Sequence, residues 1–233
     1  MTRHLVIAAL AAAGAFQPGR LDDSDRAYLV AHLEMTRQFV IDTTQGLTRE
    51  QMLYSPGPAK WSIAQCVDHL AQTEEFVLKM IRERLITSEN PIEAFPSLSG
   101  AAPPTTPPPG RLPKAADALL VRAMTDRTAA MRTPVQSRPP IEEVAPRVEI
   151  KDPQSALDAF LKVRSALIAY ARSTQDDVRG HYSYTRLPGY YPDFEFHDGY
   201  QWLLRMSAHT ERHLMQMHEI RASSGYPGAQ SGR

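Results

Sequence analysis

Apolar residues recur at helical spacing in four long stretches of the chain, and no stretch shows a sustained two-residue alternation. In residues 22–46, Leu29, Leu33 and Val40 form the stripe. Asp22, Asp23 and Asp25 stand at its start, where carboxylates favour the helix dipole, and Gly46 supplies a stop. In residues 61–87, Ile63, Cys66, Val67, Leu70, Val77 and Ile81 fall on one side. Pro56 and Pro58 break the chain just upstream, Ser62 and Gln65 make a capping box, and Trp61 is placed to staple against Cys66. In residues 152–173, Asp152 is the cap, Pro153 takes the first helical position, and Leu157, Phe160, Leu161, Leu167 and Ile168 supply the apolar side. The fourth stretch, 198–222, starts at Asp198 and is closed by Gly225 and Pro227.

The segments between these helices differ in kind. Residues 90–113 are rich in proline, which suits an extended crossover and excludes the interior of a regular element. A shorter helix is expected over 113–131, carrying Leu119, Leu120 and Met124, followed by a proline-bearing loop at 133–151. Residues 175–199 form a loop crowded with Tyr182, Tyr184, Tyr190, Tyr191, Phe194 and Phe196. Four long helices, one short one and no convincing strand predict an all-α fold. The simplest arrangement is a four-helix bundle over residues 22–222 with a long crossover between helices two and three. The polar tail, 223–233, is expected to be disordered.

Composition adds limits. The chain has 233 residues, equal numbers of acidic and basic side chains, and no basic tract, so nucleic acid is not an expected partner. Cys66 is the single cysteine, and no internal disulfide can form. Met1 to His4 is short and basic, Leu5 to Ala13 is apolar, and Ala13-Gly14-Ala15 is a small-residue cleavage pattern. Residues 1–15 therefore read as a secretory signal peptide, which implies an exported protein with no membrane anchor after its removal. An alanine-rich first turn of a cytoplasmic protein is the other reading.

The candidate chemistry lies in histidine. On a helical wheel His209 and His213 stack on one face, within a sector shared with Trp202, Met206, Met217 and Ile220, and Gln216 borders it. Two stacked imidazoles in a core-facing stripe bring polar atoms inside, each costing on the order of 1–3 kcal/mol if unsatisfied. A metal ion satisfies one nitrogen of each ring. If helices two and four run antiparallel, His69 lies about 11 Å in from Ser62 and His213 about 13–14 Å from the other helix end, so their depths agree. His69, His209 and His213 are thus the expected ligands of a metal site, against an alternative of hydrogen-bonded core histidines. His32 is a weaker candidate for a fourth ligand. His181 and His197 are expected near the surface, and His218 in solvent. Cys66 reads as core, and Asp68 and Glu211 as solvated or dipole-stabilising carboxylates.

Residues 61–70 and 209–216 together resemble the helix-two and helix-four motifs of the DinB/YfiT-like superfamily, and 47–51 also fits. The resemblance spans about residues 22–222. It implies a four-helix bundle with the long crossover, and a divalent metal, often zinc or nickel, on His69, His209 and His213. Characterised members include thiol S-transferases that use mycothiol, bacillithiol or glutathione, and a mycothiol-dependent isomerase. A low-molecular-weight thiol cofactor and a small-molecule substrate are therefore possible partners, and bundles of this type often pair as homodimers. Two functional classes stay open. One is a metal-dependent transferase or hydrolase, with the aromatic loop walling a substrate pocket. The other is a non-catalytic metal-binding stress or structural protein, in which His32 or Gln216 plugs the fourth metal position.

Overall fold

The computed structural model describes residues 19–89, 92–93, 114–125, 144–147, 149–184 and 196–228. The leader at 1–15 with His4, nearly all of the Pro-rich insertion, Tyr190, Tyr191, Phe194 and the last five residues lie outside the described residues. The helices are α1 (Asp23–Thr44), α2 (Arg49–Leu53), α3 (Ile63–Met80), α4 (Lys114–Thr125), α5 (Pro153–Ser173) and α6 (Gly199–Arg221). A π-helical turn, Ile81–Leu85, continues α3. The expected caps are present. Asp22, Ser62, Asp152 and Asp198 each accept a backbone N–H in the first turn, and Ser62/Gln65 and Asp198/Gln201 are complete capping boxes. Gly46 sits at φ +76°, past the end of α1, in the left-handed region that favours glycine. Helix α2 was hidden in a segment too short for periodicity; its own capping box, Thr48 with Gln51, marks it.

Helix directions follow from cross-bundle contacts. Arg26 at the start of α1 donates to the carbonyls of Ala171 and Thr174 at the end of α5, so these two run antiparallel. Thr36 meets Ser207, and Arg221 reaches the Thr43 carbonyl, so α1 and α6 run parallel. Ala64 and Val67 share a cluster with Ala156 and Phe160, while Val77 and Met80 share one with Leu167 and Ala171. The neighbours α3 and α5 are therefore parallel, and α6 runs against α3. A parallel pair cannot be joined by a tight turn, because the chain must travel back about 27 Å, the length of α3. That return is the physical reason for the long crossover. Among the described residues no helix is long and apolar enough to cross a membrane.

The core has two apolar halves with a polar layer between them. One half gathers Leu29, Leu33, Val77, Leu167 and Leu203; the other gathers Val40, Val67, Leu70, Phe160 and Met217. In the layer, the fully buried Arg164 of α5 uses all five of its N–H groups. They bind both oxygens of Glu74 on α3, the Leu33 carbonyl and Thr36 on α1, and Thr210 on α6. Every long helix thus meets one guanidinium. Burial pushes the Glu74 carboxyl above its usual range, and the Arg164 charge opposes the rise. A second buried cation, Arg179, faces Asp25, Asp117 and Asp198 at 2.8–3.2 Å and stacks on Tyr200. Because Asp198 is also the cap of α6, this cluster anchors the start of the helix that carries the histidine pair.

Two expectations are corrected. A three-stranded sheet exists, with β1 (Ile92–Glu93) parallel to β2 (Tyr182–Tyr184) and β2 antiparallel to β3 (Phe196–Asp198). Runs of two or three residues are too short for an alternation to be visible in sequence. The sheet is tied to α6 by Trp202, whose indole N–H donates to Ser183 at 2.6 Å. In the expected tail, residues 223–228 are docked instead. Tyr226 is buried with its ring edge on Tyr54, and Gln51 donates to the Pro227 carbonyl.

Candidate metal centre

The antiparallel run of α3 and α6 brings His69 to the level of His209 and His213, where the three rings face one another. The Nε2 atoms of His69 and His209 are 3.3 Å apart, and those of His213 and His209 are 3.0 Å apart. One donor atom from each of the three rings lies within 4.8 Å of the other two. His69 and His213 are buried and His209 is half-buried.

Outer partners set two of the tautomers. His69 Nδ1 lies 2.5 Å from the Val144 carbonyl, which can only accept, so the proton sits on Nδ1 and Nε2 presents a lone pair. His213 Nδ1 donates to the Gln216 side-chain oxygen at 2.9 Å, with the same consequence. His209 Nδ1 is shielded from water and has no hydrogen-bond partner among the described residues. Burial and the neighbouring imidazoles push the His209 pKa well below its usual value, and burial lowers that of His69. A proton on His209 Nε2 can serve only one of the two facing lone pairs, whereas a cation accepts a lone pair from all three rings. Nitrogens about 2.05 Å from a tetrahedral zinc stand about 3.3 Å apart, close to the separations found here. The residues therefore fit a zinc-like ion. The half-buried Trp61 closes one side, stacked on His213 at 5.7 Å and tilted against His69 at 4.9 Å. It packs on the apolar cluster of Cys66, as its staple position implies, but its ring faces the imidazoles.

The other candidates are elsewhere. His32 lies on the α1 side of α6, with Nδ1 3.7 Å from Glu211, and does not join the three histidines as a fourth ligand. Glu211 is half-buried there, and burial raises its pKa, so its solvated reading is corrected. Gln216 does not plug the site; its oxygen holds His213. Cys66 is buried in the apolar cluster and His218 is exposed. His181 is half-buried and bonds the Asp177 carbonyl. Asp68, read as a solvated or dipole-stabilising carboxylate, is instead 1% exposed, because the chain at 144–147 lies across it. Val144 was not legible, since a backbone carbonyl leaves no mark in sequence.

His197 is also corrected, from surface to interior: it is buried on β3 against Trp202. Burial, then the Arg205 charge, hold its pKa well below the usual value. A histidine depressed in the folded state contributes stability above its unfolded pKa, and that contribution is lost as pH falls. His197→Gln should therefore lose less thermal stability than the native chain between about pH 7.5 and about pH 5.5, either side of the ordinary value near 6.5. Melting of chelator-treated protein at the two pH values measures this; equal losses would contradict it.

A family model described as the DinB superfamily matches residues 32–217. No curated protein matches the chain. Among solved structures, the chain is similar to YfiT from Bacillus subtilis, described as a probable metal-dependent hydrolase with an unusual four-helix bundle topology. The identity is 13%, the match covers 88% of this chain and 90% of that one, and the TM-score is 0.48.

Proposed function

The chain belongs to the DinB superfamily, and from that membership we propose that it is a metal-dependent enzyme holding one divalent ion on His69, His209 and His213. The observation that carries the reading is the convergence of three imidazole nitrogens, two of them fixed as lone pairs by hydrogen bonds on the far side of the ring. All-nitrogen donation suits zinc or nickel. A bound ion supplies Lewis acidity and acidifies a water or thiol at neutral pH. The protein's part is to hold the rings. Val144 and Gln216 fix orientation and tautomer, and Trp61 covers one flank with apolar surface. Among the described residues no fourth histidine, cysteine or carboxylate joins the three, which favours catalysis over a closed structural site.

The reaction is hydrolysis of a small molecule, or transfer to a small thiol. The leader read at residues 1–15 points away from cytosolic thiols and favours water as the second reactant. Zinc-loaded protein should hydrolyse an activated phenyl ester faster than chelator-treated protein or His213→Ala. A parallel assay with a chloronitrobenzene and glutathione separates thiol transfer from hydrolysis. Equal rates with and without chelator in both assays would contradict the enzymatic reading.

A further inference from the structure

The segment 144–147 lies across the first turns of α3 and touches it at three levels. Gln65 donates its amide to the Arg147 carbonyl at 3.2 Å. The Arg147 backbone N–H donates to Asp68 Oδ2 at 2.8 Å. His69 Nδ1–H donates to the Val144 carbonyl at 2.5 Å. Val144 itself is buried. We propose that Asp68 is a positioning residue for His69: its carboxylate clamps the 144–147 strap, and the strap presents the carbonyl that fixes the His69 tautomer and ring.

The acceptor oxygen of Asp68 performs this role, and its charge does not. Oδ2 accepts from both Arg147 N–H and the Gln72 amide, at 2.8 and 2.7 Å. Its one ion pair among the described residues, to the Arg147 guanidinium at 3.5 Å, reaches a side chain that is 67% exposed, where such pairs contribute little. An asparagine oxygen can take both hydrogen bonds; an alanine can take neither. Without the clamp, the Arg147 N–H loses its partner and the Val144 carbonyl is free to withdraw. His69 can then place its proton on Nε2, the atom that faces the other histidines. Outer partners of this kind typically change metal affinity by about 10–100-fold.

Two readouts test this, and only the second rests on the metal reading above. The first is the imidazole nitrogen chemical shifts of nitrogen-15 histidine in the full, metal-free chain. His69 should be the Nδ1–H form in the native protein and in Asp68→Asn, and a mixture of forms in Asp68→Ala. The second is zinc affinity by chelator competition, expected to fall about 10–100-fold in Asp68→Ala and to stay within about threefold in Asp68→Asn. If Asp68→Ala does not fold, Arg147→Pro deletes the same N–H outside any helix and should give the same losses. A folded Asp68→Ala with an unaltered His69 tautomer overturns the proposal. So does an Asp68→Asn as impaired as Asp68→Ala, which would assign the effect to charge. A native chain that binds no zinc removes the metal reading, while the tautomer comparison still decides on the strap.

Discussion

Arg164→Ala should destabilise the fold by about 3–5 kcal/mol, because it leaves the Glu74 carboxylate buried beside no cation. Both side chains are fully buried. The guanidinium also satisfies the Leu33 carbonyl and the hydroxyls of Thr36 and Thr210. A loss of that size lowers the melting midpoint of a chain this long by about 6–20 °C, and it removes a large part of the about 5–15 kcal/mol that holds an ordinary domain together. The double change Glu74→Leu with Arg164→Met should recover most of the loss, since apolar replacements of buried pairs are often neutral or stabilising. The hydroxyls keep partners in that variant: Thr36 bonds the His32 carbonyl and Thr210 the Met206 carbonyl. Thermal and denaturant unfolding of the three proteins measures this. A single variant as stable as the native chain would show that the layer does not hold the bundle.

That layer is also an instance of what sequence did and did not reveal. Glu74 lies between Leu70 and Val77, and Arg164 between Phe160 and Leu167, each at the position where its stripe demands an apolar residue. Complementary charges in core positions of two helices were a usable signal, but a count of apolar matches passes over them. The four helices were legible because periodicity and caps agree: Asp22, Ser62, Asp152 and Asp198 mark starts through local chemistry that tertiary contacts do not alter. The histidine cluster was legible because spacing on one helix and depth along another are both fixed by helix geometry. His197 and Asp68 were misplaced for one reason. Their burial comes from segments with no periodicity, the β2–β3 pairing and the 144–147 strap, whose path depends on distant contacts.

The second large effect concerns the three imidazoles. Zinc sites with four protein ligands bind with apparent free energies of about 10–16 kcal/mol, or about 2.5–4 kcal/mol per ligand. Removing one imidazole of three should therefore weaken binding by about two to three decades. His209→Ala gives the clearest case, because its Nδ1 has no partner among the described residues whose loss would confuse the result. His69→Ala additionally frees the Val144 carbonyl. Because an ion held by the folded chain alone stabilises it, the melting midpoint of the native protein should rise on adding zinc, and that rise should shrink or vanish in both variants. The most direct measurement is the metal content of purified native protein beside His69→Ala and His209→Ala, after dialysis against a weak chelator. A shared three-histidine site predicts close to one ion per native chain and only background metal in each variant. A full equivalent retained by both variants, or none taken up by the native chain when zinc is supplied, would contradict it.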